Sequence, residues 1–500
     1  MADKQLDVYM DGVRAGVVAM TGSGALSFSY DDAYRTAAGA TPLSLSMPRQ
    51  TTRHRQSTVL PFLQGLLPDN DQALGSIAAT YQVSARSPFA LLRHIGHDVA
   101  GALQFVEPGS QSEDALADRS VLTPLSDDEV ADDLRIVIDA YRNARPVPVG
   151  GGFRMSLAGA QPKIALVRTP DDGWARTQRG APTTHIIKPE YRTPRTLADE
   201  KFPDMTVVEM FSLAVARHVG LPTPKTWYWE APDGDLRALV LERYDRHVGE
   251  DGLVYRDHQE DLCQALAVPP ARKYQHLYGG PGVGSVAELT RLRVPAQDQV
   301  ALARDFLSLL TLNIAMVNTD AHAKNYSLML RGESVTLAPA YDVLSIALYV
   351  DRDEPADPLM FPMRIGSGYE LRSIFPDAIA TEGTRLGLSK DEARWVVDGV
   401  LEAVPGALEK ARADVEQVPG GRVVADTIIR NLRAISPLYP ADAPILLTGG
   451  PMPNDRHAPR DDRHARSAGR PARAKTTPAS NRGSFASRAR EESDVQLGED

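Results

Sequence analysis

The run NTDAHAKNYSLML (residues 318–330) places Asp320, His322, Lys324 and Asn325 within six positions. It lies between an apolar helix-like stretch, FLSLLTLNIAMV (306–317), and an apolar alternating one. The next segments, YSLML and SVTLAPA, flank Arg331-Gly332-Glu333 and read as a hairpin, after which Asp342 follows in APAYDVLS. A loop bearing a carboxylate and then an amide, followed by a hairpin that ends in a second carboxylate, is a layout that serves phosphoryl transfer. The first Asp accepts a proton from an attacking hydroxyl, while the Asn and the second Asp supply hard oxygens for Mg²⁺. The Asp-x4-Asn spacing is that of a protein-kinase catalytic loop, although His-Arg-Asp is absent and Val-Leu follows Asp342 where Phe-Gly would stand. The spacing alone is equally that of a polar loop whose Asp and Asn cap helix ends.

Upstream segments add parts in a meaningful order. GGGFRMSLAGAQPK offers glycines, Ser156, Gln161 and Lys163 before the strand IALVR, without the order of a Walker A loop. Lys188 ends the apolar strand HIIK, where an ammonium would enter a cleft or snorkel at the surface. MTVVEMFSLAVARHVG (205–220) has helical spacing with a terminal Gly, and LVLERYDR ends a strand at Glu242, Arg243 and Tyr244. That end reads either as a hinge beside an adenine or as a charged strand end. Glycine-rich loop, strand lysine, helix, hinge-like strand, helical region, Asp-x4-Asn loop, hairpin and Asp together form the order of a bilobal kinase.

The flanking organisation is mixed. LDVYMDGVRAGVVAM (6–20) alternates about Asp11-Gly12, a type I′ turn pair, and predicts a hairpin. ALSFSY and AGALQFV read as strands, and VLPFLQGLLPDN with DQALGSIAATYQV as mainly helical. The stretch 108–125 reads as loop, Ser126 and Glu129 as a capping box, 258–317 as mostly helical, and 390–404 and 422–435 as late helices. Residues 447–500 lose apolar periodicity and are expected to be a disordered tail. Its part 456–490 holds ten Arg and Lys against two Asp, which reads as a solvated tail or a nucleic-acid contact.

Composition bounds the rest. The 500 residues carry a net charge of -10 with 43% hydrophobic and 24% charged residues, ordinary for a globular chain and unlike a nucleic-acid coat. The single cysteine, Cys263, excludes an internal disulfide framework and a cysteine metal cluster. MADKQLDVYMDGVRAG lacks the pattern of a secretory signal, and the run at 306–317 is too short to span a bilayer. A cytoplasmic, soluble protein without a membrane partner is expected.

The segments SLAGAQPKIAL, HIIKPE, LERYDR, QEDLCQALAVPPARKYQ, TDAHAKNYSL and LAPAYDVLS, with GLLPDN near the N-terminus, resemble the HipA family, the serine/threonine kinase toxins of bacterial toxin–antitoxin modules. The resemblance covers about 6–435. It implies an α+β fold: a bilobal protein-kinase-like body with an added N-terminal α/β subdomain and a mainly helical C-terminal lobe. The expected divisions are an N-terminal subdomain (1–107), a helical linker (108–149), a nucleotide-binding lobe (150–255), a helical lobe with the catalytic loop (256–440) and the tail.

It implies ATP and Mg²⁺ as cofactors, Asp320 as catalytic base, and Asn325 and Asp342 as metal ligands. On the ATP side it implies Ala158, Gly159, Ala160, Gln161, Pro162 and Lys163 as the phosphate loop. Lys188 would contact the phosphates, Glu242, Arg243 and Tyr244 would form the hinge, and His322, Lys324 and Tyr341 would line the pocket. Ser156 matches the family's self-phosphorylated serine, whose modification ejects the loop and silences the enzyme. The implied partners are a HipB-like helix-turn-helix antitoxin, operator DNA reached through it, and a protein substrate such as an aminoacyl-tRNA synthetase. A small-molecule or lipid kinase on the same scaffold, or a non-catalytic transcription-regulating module, are the competing functions.

Overall fold

In the computed structural model, residues 4–109, 122–147, 158–177, 180–196, 199, 201–350 and 358–439 are described. Ser156, the glycines before it and the tail 447–500 lie outside them. Asp11 and Gly12 both take positive φ, 44° and 84°, as a type I′ turn requires. They join the antiparallel strands Lys4–Met10 and Val13–Met20. Leu26–Tyr30 and Arg53–Arg55 extend this sheet on one side and Leu103–Val106 on the other. Helix Gln56–Gly65 packs on the Leu26–Tyr30 strand, and helix Pro88–Ile95 on Leu103–Val106. Between them in sequence, helix Asp71–Tyr81 starts where the Asn70 side chain accepts from the Ala73 amide at 2.9 Å.

A second sheet runs Thr226–Glu230, Leu236–Glu242, His185–Tyr191, Ile164–Arg168, Trp174–Thr177, Leu122–Leu125, every pairing antiparallel. Its last strand corrects the expectation of a loop through 125. Leu122, Thr123 and Pro124 are exposed, so no alternation betrays the strand. Its position at the sheet edge is what tolerates a proline. Helix Asp127–Asn143 follows, with both halves of the Ser126–Glu129 capping box formed, and packs on helix Asp71–Tyr81 and on strand Ile164–Arg168. One continuous core therefore holds Phe28, Phe62 and Phe105, Leu134 and Ile138, and Ile187 and Val240. A boundary near 107 does not cut between two cores.

Helix Met205–Val219 lies between strand Leu236–Glu242 and the long helix Lys390–Asp414 and belongs to the second large core. That long helix was expected to stop at 404. It continues through Pro405 because Val404, Ala407, Leu408 and Ala411 all stay buried on one face, and this burial offsets the roughly 3 kcal/mol cost of an interior proline. Helices Val283–Arg293, Ala296–Ala315, Pro376–Arg385 and Gly421–Ile435 belong to the same helical lobe. The region expected to be mostly helical from 258 opens instead with a strand, His258–Asp261, paired to Ser327–Arg331, which pairs in turn to Ser334–Leu337. Its polar sequence conceals it, since the residues are buried by tertiary pairing and not by their own hydrophobicity. The architecture is the α+β, two-lobed one expected. Among the described residues no helix is long and apolar enough to cross a membrane.

That strand carries a buried acid. Glu260 accepts from the Leu45 amide at 2.8 Å and from the Ser44 hydroxyl, and burial pushes its pKa up to about 8. The neutral form is thus favoured in the folded state. The stability it contributes is present at low pH and is lost as pH rises through about 8. Glu260→Gln, which cannot ionise, is expected to gain apparent Tm relative to the parent progressively as pH rises. Thermal unfolding from about pH 5 to about pH 9 checks this, and parallel curves for the two proteins would exclude it.

Candidate active site

Between the two lobes lies a cleft of about 1430 Å³. Its floor is built where helix Ala296–Ala315 ends. Val317 takes φ 52°, and the Asn318 side chain bonds Asn313 Oδ1 at 2.9 Å while accepting from the Asp320 amide at 3.1 Å. The following turn is wound tightly: His322 N donates to Asp320 O at 2.8 Å, and Asn325 Nδ2 donates to the same carbonyl at 2.8 Å. Asn325 thereby spends an amide hydrogen on the loop, and its Oδ1 is left as an acceptor. The Asp320 carboxylate accepts a hydrogen bond from the Tyr274 hydroxyl. Burial raises the Asp320 pKa to about 6, against the pull of Lys273 and Tyr274 and with a further push from Asp342 and Asp69.

Asp342 enters from the far end of the hairpin with φ 49°, in the left-handed region that a non-glycine residue adopts at a cost of order 1 kcal/mol. Its carboxylate bonds Lys188, whose ammonium also bonds Glu209 at 2.7 Å. Lys188 sits on strand His185–Tyr191 and Glu209 on helix Met205–Val219, so one cation ties sheet, helix and catalytic lobe together. Burial works against the Lys188 charge, but Asp342 and Glu209 outweigh it and hold its pKa well above the usual range. Burial likewise opposes the Asp342 charge, but Lys188 and Lys163 keep its carboxyl well below the carboxylate range.

Also lining the cleft, Gly159 has φ 113°, and an added Cβ would lie 2.3 Å from Lys163 Nζ, so this turn needs glycine. Lys163 Nζ donates to Ala158 O at 2.9 Å, and burial lowers its pKa to about 8. Ala160, Gln161 and Pro162 line the same cleft. Tyr341 donates to Lys324 O at 2.7 Å, and its ring stacks on Tyr244 with centroids 5.8 Å apart. Glu242 pairs with Lys225 at 3.0 Å and is partly exposed.

Two of the expected nucleotide residues line the cleft but commit their side chains to other protein groups. The Arg243 side chain is buried among Asp245, Asp98 and Thr183, so only its backbone is placed to serve a hinge. Lys324 is buried and held by Asp69 at 3.0 Å, Asp261 at 3.6 Å and the Gly65 carbonyl at 3.3 Å. His322 stands edge-on to Tyr274 at 4.8 Å. Ser156 lies outside the described residues.

Four site residues were not singled out as candidates from the sequence: Asp69, Glu209, Lys273 and Tyr274. The first lies in GLLPDN and the last two in PPARKYQ, both segments marked only for their family likeness. Glu209 had a signal of its own, an acid in the apolar run VVEMF, and such acids are rarely buried without a partner. Asp69 joins three parts of the site. It pairs with Lys273 at 3.1 Å and with Lys324, and its backbone amide donates to Gly159 O at 3.1 Å.

Residues 155–408 match the family model of the HipA-like C-terminal domain, and residues 6–106 that of the HipA N-terminal domain. The chain belongs to the HipA family. It is 36% identical over 420 residues, 82% of this chain and 93% of the relative, to Y4mE of Sinorhizobium fredii, a protein named as a candidate kinase. It is 29% identical over 376 residues to the serine/threonine-protein kinase toxin HipA of Shewanella oneidensis, covering 73% of this chain and 80% of that one. The solved complex of Shewanella oneidensis HipA with HipB and operator DNA superposes with a TM-score of 0.68 at 22% identity, over 86% of this chain and 96% of that one, and shares the fold. By enzyme class this HipA-family chain is a serine/threonine-protein kinase.

Proposed function

We propose that the chain transfers the γ-phosphoryl group of ATP to a Ser or Thr hydroxyl of a protein, as the toxin of a toxin–antitoxin pair acting in the cytoplasm. The observation that carries this reading is the Lys188 ammonium held jointly by Glu209 and Asp342. It places a fixed cation at the head of a cleft whose floor holds a carboxylate of raised pKa, Asp320.

The donor set suits magnesium. Asn325 Oδ1 and the Asp342 carboxylate are hard oxygens, too few for an all-protein cage but the number Mg²⁺ uses when phosphate oxygens and water complete its shell. Bound there, the ion would neutralise phosphate charge. The chain's own residues do the rest. Lys188 and Lys163 orient the phosphates, the backbone at Glu242 to Tyr244 seats the base, and Tyr341 stacks behind it. Asp320 takes the proton of the acceptor hydroxyl.

Modification of Ser156 is the off-switch in this reading. A phosphate there adds nearly two negative charges, and such a charge near nucleotide phosphates would disfavour their binding. A HipB-like helix-turn-helix antitoxin restrains the enzyme and brings it to operator DNA, and an aminoacyl-tRNA synthetase is the acceptor class. Both come from the family resemblance, and the antitoxin also from the HipB and operator DNA named in the Shewanella complex.

Radiolabelled ATP with the purified full chain and magnesium tests this. Label on the parent protein is expected, absent with Asp320→Ala and sharply reduced with Ser156→Ala. Intact ATP binding without label on the chain or on any protein acceptor would turn the reading to a binding module. Label on small molecules alone would turn it to a small-molecule kinase.

A further inference from the structure

The transferred phosphoryl group carries its charge on three equatorial oxygens midway between leaving and attacking atoms, and fixed cations aimed there contribute most to such reactions. Among the described residues four lysines line this cleft: Lys163, Lys188, Lys273 and Lys324. Lys188 has two carboxylates. Lys324 is 4% exposed and wrapped by Asp69, Asp261 and a carbonyl. Lys163 sits on the phosphate-loop side, bonded to Ala158 O.

Lys273 differs. Among the described residues it pairs with one carboxylate, Asp69 at 3.1 Å, and it keeps 15% of its side chain exposed in the cleft. The next residue, Tyr274, donates its hydroxyl to Asp320, and the Ala323 amide of the catalytic loop donates to the Lys273 carbonyl at 3.2 Å. Backbone and side chain thus lock Lys273 to the loop that carries the base. Asp69 is shared with Lys324, so it stays paired when Lys273 turns to a new anion.

We propose that Lys273 is a further catalytic residue, the cation that meets the phosphoryl group as it passes to the hydroxyl held by Asp320. The proposal rests on the kinase reading above. The bond from the γ-phosphorus to the ADP oxygen breaks, the bond to the acceptor oxygen forms, and the acceptor proton goes to Asp320. Lys273 forms and breaks no covalent bond.

The test uses the full chain, with Lys273→Met and Lys273→Arg beside the parent. Lys273→Met is expected to lower kcat by roughly a hundredfold or more. ATP affinity, read by calorimetry, should hold within about threefold, and affinity for ADP with aluminium fluoride should fall far more than affinity for ADP alone. Lys273→Arg is expected to restore part of kcat. Asp69→Asn keeps the lysine's charge but removes its partner, and is expected to cost less kcat than Lys273→Met. Equal losses from Asp69→Asn and Lys273→Met with no rescue by Arg would make Lys273 a structural partner and overturn the proposal, as would an unchanged kcat. Should Lys273→Met not fold, Lys273→Gln is read against the same outcomes. A parent protein without any phosphoryl transfer would remove the kinase reading and the proposal with it, which sets that failure apart from an active parent with an active Lys273 variant.

Discussion

Asp320→Asn is expected to reduce phosphoryl transfer by roughly 10²- to 10⁴-fold, the usual contribution of a positioned general base, while ATP still binds. The carboxamide keeps the shape and the bond from Tyr274 but cannot take the acceptor's proton. The pH dependence sharpens this. A base works deprotonated, and burial lifts Asp320 to about 6. kcat/KM is therefore expected to fall on the acid side of about pH 6 and to level off above it. The Tyr274 hydroxyl bond favours the charged carboxylate. Tyr274→Phe should then move the acid limb to higher pH, with little change on its alkaline plateau. An acid limb that stays put in Tyr274→Phe, or full activity in Asp320→Asn, would assign the base elsewhere.

Asp98→Asn is expected to destabilise the protein by about 3–5 kcal/mol, the cost of breaking a buried ion network from one side. The Asp98 side chain is fully buried and accepts from Thr183 Oγ1 at 2.7 Å, Thr183 N at 3.1 Å, Arg246 Nη2 at 2.9 Å and Arg256 Nη2 at 3.2 Å. Arg243 approaches it at 3.6 Å and binds Asp245 at 2.8 Å. Loss of one charge leaves three buried guanidinium groups with only Asp245, shared by Arg243 and Arg246, and Asp11, 3.7 Å from Arg256, among the described residues. The network has a functional side, because Arg243 is the middle of the hinge segment and Asp98 belongs to the turn before strand Leu103–Val106. The N-terminal sheet thus anchors the wall against which adenine is proposed to lie. ATP affinity should fall along with apparent Tm. Arg422→Ala, whose partner Glu416 is half exposed at 3.2 Å, is the contrast and should cost no more than about 1 kcal/mol. Thermal unfolding and ATP titration of both variants check the pair. A Tm for Asp98→Asn near that of Arg422→Ala would mean that the network rearranges around the amide.

The same division between local and long-range information runs through the fold. Asp11-Gly12 announced its hairpin because a type I′ turn is a property of two adjacent residues. Ser126 and Glu129 announced a helix start for the same reason. The strand at Leu122–Leu125 and the continuation of the last long helix through Pro405 were not legible. Each depends on what lies alongside, a partner strand in one case and a buried face in the other. His258–Asp261 shows the limit most clearly: HQED is buried only because Ser327–Arg331 and the Ser44–Leu45 segment come to meet it.

The sequence by itself determined the inventory and order of the chemistry: the lysine at a strand end, the loop with Asp320 and Asn325, and Asp342 after the hairpin. Those are short-range patterns, and the family likeness is carried by the same segments. Only the tertiary structure decided which charges meet. Glu209 claims Lys188, Asp69 divides itself between Lys273 and Lys324, and Arg243 turns away from the cleft to Asp98. Such pairs join residues far apart in the chain, and the burial that makes them strong exists only once both lobes have closed around them.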